Sequence, residues 1–84
     1  MIKQYRKKPV VIEAVQWTGN RDEIMEFVGE RALGWNPVGY IVLIATPDGR
    51  KAVNYKDYII KDEDGEFYPC KPDIFEREYE EVKS

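Results

Sequence analysis

The chain contains no histidine and only one cysteine, Cys70. Without histidine, every Ser-His or Cys-His arrangement is excluded, because such nucleophiles are activated by a neighbouring imidazole. Thr18, Thr46 and Ser84 are the only aliphatic hydroxyls, and none sits in a nucleophile motif. One thiol forms no intrachain disulfide, and with no imidazole beside it a structural zinc set is not available. Glycine is sparse as well. Gly29, Gly34 and Gly39 are too widely spaced for a dinucleotide or P-loop fingerprint. No apolar run approaches the roughly 18 residues of a membrane span. The basic start, Met1 to Lys8, is not followed by a leader-like apolar core, because Glu13 and Gln16 interrupt the next stretch. The expectation is a cytoplasmic protein with no catalytic residues, no metal site and no cofactor.

What is present is a good supply of core formers. Apolar residues make up 43% of the 84 positions and aromatic residues 13%, richer than a disordered chain. A chain of this length forms one domain, 1–84, and buries about 60–65% of the surface its unfolded form exposes. The net charge of −3 gives no general attraction to nucleic acid. The charge is uneven, however. Lys3, Arg6, Lys7 and Lys8 make the start basic. Asp73, Glu76, Glu78, Glu80 and Glu81 make the end acidic, despite Arg77 and Lys83. Two readings follow: the ends lie side by side and neutralise each other, or the basic arm binds phosphate or an acidic partner.

The hydrophobic pattern predicts a strand over Val10–Trp17, with Pro9 at its start, where a missing N–H is tolerated. Asn20 and Glu23 have capping-box spacing, and Ile24, Phe27 and Val28 form an apolar helical stripe. The helix stops at Gly29 or runs on to about Leu33. Gly34-Trp35-Asn36-Pro37 reads as loop. Gly39 to Thr46 predicts a central strand, turning at Pro47-Asp48-Gly49 into an antiparallel partner over Arg50 to Asn54. Tyr58 to Lys61 is another short strand, and Asp62-Glu63-Asp64-Gly65 a hairpin tip returning through Glu66-Phe67-Tyr68. Pro72 opens a short helical turn that docks through Ile74, Phe75 and Tyr79, and Glu80 to Val82 extend into a final strand. The expected class is α+β: a small, mostly antiparallel sheet of about five strands, one amphipathic helix after the first long strand, and a short C-terminal helical turn.

Aromatic residues carry the functional signal. Tyr55, Tyr58, Phe67 and Tyr68 fall on neighbouring strands, Trp17 ends a strand, and Trp35 has no periodic reason to be buried. Trp17 and Phe67 are expected in the core. Lys56, Lys61 and Lys71 place positive charge beside ring faces, a combination that suits a nucleotide-like ligand. The candidate binding residues are therefore Trp35, Tyr55, Lys56, Tyr58, Tyr68 and Lys71. Cys70 is expected to be a small, partly buried hydrophobe.

Two stretches resemble a known family. One runs Tyr5-Arg6-Lys7-Lys8-Pro9-Val10-Val11-Ile12-Glu13-Ala14-Val15-Gln16-Trp17-Thr18-Gly19. The other is Asp57-Tyr58-Ile59-Ile60-Lys61 followed by Gly65-Glu66-Phe67-Tyr68-Pro69-Cys70-Lys71-Pro72-Asp73-Ile74-Phe75-Glu76. Together they resemble the PGDYG-type family of small phage and prophage proteins. That family's second stretch opens Pro-Gly-Asp-Tyr, whereas here Tyr55-Lys56 replaces Pro-Gly. The resemblance implies a phage-encoded accessory protein in the host cytoplasm and transfers no catalytic residues. The expected partner is a host protein. The alternative is a small anionic or nucleotide-like host signalling molecule, sequestered by a homo-oligomer, because so short a chain hardly encloses a pocket of about 300–1,000 Å³. Nucleic acid ranks below both, and no membrane partner is expected.

Overall fold

The computed structural model describes residues 2–7, 10–36 and 38–82. The expectations placed on Lys8, Pro9, Pro37, Lys83 and Ser84 fall outside the described residues, as do the side chains of Arg6, Lys7 and Val10. In chain order the elements are β1 (Lys3–Lys7), β2 (Val10–Gln16), α1 (Arg21–Val28), a 3₁₀ turn (Gly29–Arg31), β3 (Ala32–Trp35), β4 (Val42–Thr46), β5 (Gly49–Val53), β6 (Tyr58–Lys61), β7 (Phe67–Cys70), α2 (Pro72–Glu78) and β8 (Glu80–Glu81). They form a five-stranded sheet of order β7-β6-β2-β1-β8 and a three-stranded sheet of order β3-β4-β5. Every pairing is antiparallel. The α+β class is as the pattern predicts. The additional features are the second sheet and the strand β1. No helix among the described residues is long and apolar enough to cross a membrane.

Successive strand residues point to opposite faces, and β2 and β6 are apolar on both. Val15 and Ile59, with Trp17 just beyond β2, join Ile24, Phe27 and Val28 of α1, Val42, Ile44 and Val53 of the small sheet, and Phe67. Ile12, Ala14, Tyr58 and Ile60 face the other way, onto Phe75 of α2. The large sheet is thus covered on one side by α1 and the small sheet, and on the other by α2. Trp17 and Phe67 are core residues, as the pattern implies.

Several local expectations need correction. Asn20 precedes α1, but its side chain caps no backbone N–H of the helix. Its oxygen instead accepts from the Thr18 N–H at 2.8 Å, and its amide donates to the Gln16 carbonyl at 3.1 Å and the Glu23 carboxylate at 2.6 Å. It therefore ties the end of β2 to the helix. Gly29 ends α1 with φ 60°, a conformation glycine adopts without steric cost. Gly34 and Trp35 belong to β3, which passes an irregularity in register between Ala32 and Gly34. Their tertiary partner, β4, overrides the loop-like composition. Tyr40 and Ile41 lie before β4 rather than within it. Ile74 is 37% exposed, so α2 docks through Phe75 and Tyr79 without it.

The two chain ends do lie together. β1 pairs with β8 through Tyr5–Glu81 and Arg6–Glu80, and the Lys3 ammonium stands 3.2 Å from the Glu81 carboxylate. Both partners are over a third exposed, so this pair stabilises by at most about 1 kcal/mol.

Tyr58 is 8% exposed, with its ring stacked on Phe75 at 3.8 Å. Burial, reinforced by Glu76, pushes its hydroxyl up to about 12. A tyrosine whose folded pKa is raised stabilises the fold fully below its unfolded value. That stabilisation is lost as pH rises from about 10 through about 12. Alkaline denaturation should therefore steepen across this window, and Tyr58→Phe should flatten that steepening in urea midpoints measured against pH. An unchanged slope in Tyr58→Phe would mean that Tyr58 ionises alike in both states.

Candidate binding face

The turn from Asn54 to Asp57 links the small sheet to β6. The Asp57 N–H donates to the Asn54 carbonyl at 2.9 Å, closing a tight turn. Lys56, its third residue, has φ 79°. Turns of this kind place glycine there, because other residues clash at positive φ. Lys56 is the only such residue other than glycine among the described residues. Its surroundings hold it in place. Its N–H donates to the Trp17 carbonyl at 2.7 Å, and its own carbonyl accepts from the Gln16 amide at 2.9 Å. The buried Asp57 carboxylate accepts from the Asn54 N–H at 3.0 Å and from the Lys71 ammonium at 3.2 Å. The Asn54–Asp57 segment is thus a tight turn, built with Tyr55 and Lys56 at its two central positions.

A second loop rises beside it. The Asn36 side-chain oxygen accepts from the Tyr40 N–H at 2.8 Å and the Ile41 N–H at 3.0 Å. The Tyr40 carbonyl accepts from the Trp17 indole N–H at 2.8 Å. With its backbone fixed at both groups, Tyr40 projects its ring outward at 62% exposure. Its neighbour Tyr55, 45% exposed, meets it edge to face at 6.1 Å. The Trp17 ring below lies 6.2 Å from Tyr55, edge to face, and 5.0 Å from Trp35. Two cations complete the group. The Arg21 guanidinium lies 4.3 Å from the centre of the Trp35 ring, and the Lys56 ammonium 5.3 Å from that of Tyr55. Among the described residues, neither cation pairs with a carboxylate.

Of the sequence-predicted residues, Trp35, Tyr55 and Lys56 come together on this face. Tyr58 does not. It points to the opposite side of the large sheet, and its hydroxyl meets the Glu76 carboxylate at 3.3 Å. Tyr68 is half-buried on β7 opposite Ile60, and so shares the α2 side. Lys71 is spent on Asp57. Cys70 is half-buried against the Tyr58–Phe75 cluster, as a small hydrophobe would be. The sequence reading missed Arg21 and Tyr40. Arg21 left a signal: it opens α1, where the helix dipole disfavours a cation.

A cavity of about 200 Å³ lies on the α2 side, lined by Lys3, Tyr5, Gln16, Thr18 and Tyr58. It is below the roughly 300–1,000 Å³ of typical small-molecule sites. No family model, no curated protein and no solved structure matches the chain.

The strain at Lys56 is measurable. Lys56→Gly should raise stability by about 0.5–1 kcal/mol, a shift of a few degrees in Tm, from relief of the positive φ less the entropy glycine costs. Lys56→Ala keeps the strained backbone and should show no gain. Equal stability of the two variants in urea denaturation would mean that the turn is unstrained.

Proposed function

We propose that the protein is a phage- or prophage-encoded accessory protein that acts by binding a protein of the host cell through the Trp35–Tyr40–Tyr55 face. The observation that carries this reading is the exposure of Tyr40 and Tyr55, 62% and 45%, on backbone held by hydrogen bonds. Rings exposed on flexible loops lose entropy when they are bound, whereas rings already fixed lose little. Tyrosine, tryptophan and arginine are also the residues enriched where binding energy concentrates in protein interfaces. The resemblance to small phage proteins supports the origin and the host as the source of the partner.

Capture of a small anionic molecule is the second reading, and it is favoured by the Lys56 ammonium beside the Tyr55 ring. On an open face, this reading needs a second copy of the chain to close the site.

A pull-down from host lysate with the intact protein, compared with a Tyr40→Ser/Tyr55→Ser double variant, distinguishes the readings. The expected result is one stoichiometric protein captured by the first and lost by the second. These exposed substitutions should leave the free energy of unfolding within about 0.5 kcal/mol of the original. Capture retained by the double variant would remove this face from the reading. A native mass spectrum showing a multimer with a small added mass would favour sequestration instead.

A further inference from the structure

Arg21 and Lys56 flank the exposed rings, and the orientation of their charge bears on what the face accepts. Each cation lies over an aromatic ring, Arg21 over Trp35 at 4.3 Å and Lys56 over Tyr55 at 5.3 Å. A base or nucleotide would be recognised by stacking on those ring faces. One face of each ring is already occupied by this chain's own cation. A cation held against a ring keeps its N–H donors, because the ring takes its charge through the π-face and accepts no directed hydrogen bond of carboxylate strength. Among the described residues, Arg21 donates no hydrogen bond and forms no ion pair, although carboxylates are frequent elsewhere on the surface. Lys3, Arg31 and Lys71, by contrast, are spent on Glu81, Glu66 and Asp57.

Resting on the binding reading above, we infer that the occupant is an acidic segment of a protein. Its carboxylates meet the Arg21 fork and the Lys56 ammonium, and an apolar side chain between them covers Tyr40 and Tyr55. Charge complementarity carries this assignment. Arg21, over Trp35, and Lys56, over Tyr55, pair with no carboxylate among the described residues and lie on the same face as the exposed Tyr40–Tyr55 pair, so a basic or neutral partner that covered this face would leave them desolvated and uncompensated. Arginine matters beyond its charge, because its planar fork binds a carboxylate with two parallel hydrogen bonds and a lysine does not. Exposed and at the first position of α1, Arg21 can be changed without disturbing the core.

The test uses the full chain and a short, end-blocked peptide alternating Asp and Leu, beside its Asn-Leu counterpart and an oligothymidylate, each titrated calorimetrically at low salt. The acidic peptide should bind at least about tenfold more tightly than the amide version, the scale of one charged hydrogen bond. Arg21→Gln should abolish that preference, and Arg21→Lys should recover only part of it. Equal binding of the two peptides would overturn the carboxylate assignment while leaving the face as a binding surface. No binding of either peptide would overturn the assignment as well, and the lysate capture would then decide the broader reading alone. Oligothymidylate binding as tightly as the acidic peptide would reassign the face to nucleic acid.

Discussion

Trp17 is 3% exposed, at the end of the longest strand, and it makes contacts in four directions. Its backbone N–H and carbonyl bond to the Asp57 carbonyl and the Lys56 N–H, fixing the strained turn to β2. Its indole N–H fixes the Tyr40 loop. Its ring packs on Trp35 from the small sheet and meets the edge-on ring of Tyr55. The two sheets and the candidate binding face therefore share one anchor. Buried indole N–H groups need a partner, and here the partner is the carbonyl that positions the most exposed tyrosine of the face. Stability and presentation of the face are in this way the same set of contacts.

The Asn54–Asp57 turn shows how a local conflict is absorbed. A lysine at φ 79° costs on the order of 1–2 kcal/mol. A chain this small has roughly 4–13 kcal/mol of total stability, so the strain is a noticeable fraction. It persists because the buried Asp57 carboxylate over-determines the backbone on one side and Trp17 and Gln16 on the other. Strain of this kind collects where structure is being used to aim side chains. Here it aims Tyr55 and Lys56 outward, next to a core residue, Tyr58, that points the opposite way.

Much of the fold was legible because its signals are local. The apolar run of β2, the Pro47-Asp48-Gly49 turn, the acidic tip closed by Gly65 and the Pro72 helix start each follow from the chemistry of a few adjacent residues. The pairing of the basic and acidic ends was one of the two readings their opposite charges offered. What was not legible depends on distant partners. Lys3–Lys7 has one aromatic residue among polar ones and becomes a strand because β2 and β8 lie on either side of it. Trp35 looked like a loop residue until β4 paired with it. The candidate site suffered most. Tyr55 and Tyr58 are three residues apart in sequence, yet the tight turn between them, with Lys56 at φ 79°, leaves one at the surface and the other in the core.

The sheet edges favour recognition by side chains rather than by strand addition. The β7 edge contains Pro69, which has no N–H to offer an incoming strand, and β8 at the other edge is two residues long. In the small sheet, the edge strand β5 carries exposed Arg50 and Lys51, a charged edge of the kind that discourages pairing. The other edge, β3, is irregular in register at Gly34. Main-chain pairing thus has poor templates at every edge of both sheets. The remaining concentrated resource is the aromatic pair Tyr40–Tyr55 with its two flanking cations. With its backbone edges blunted, this small molecule offers a partner mainly those few side chains, which is the basis of the proposed binding face.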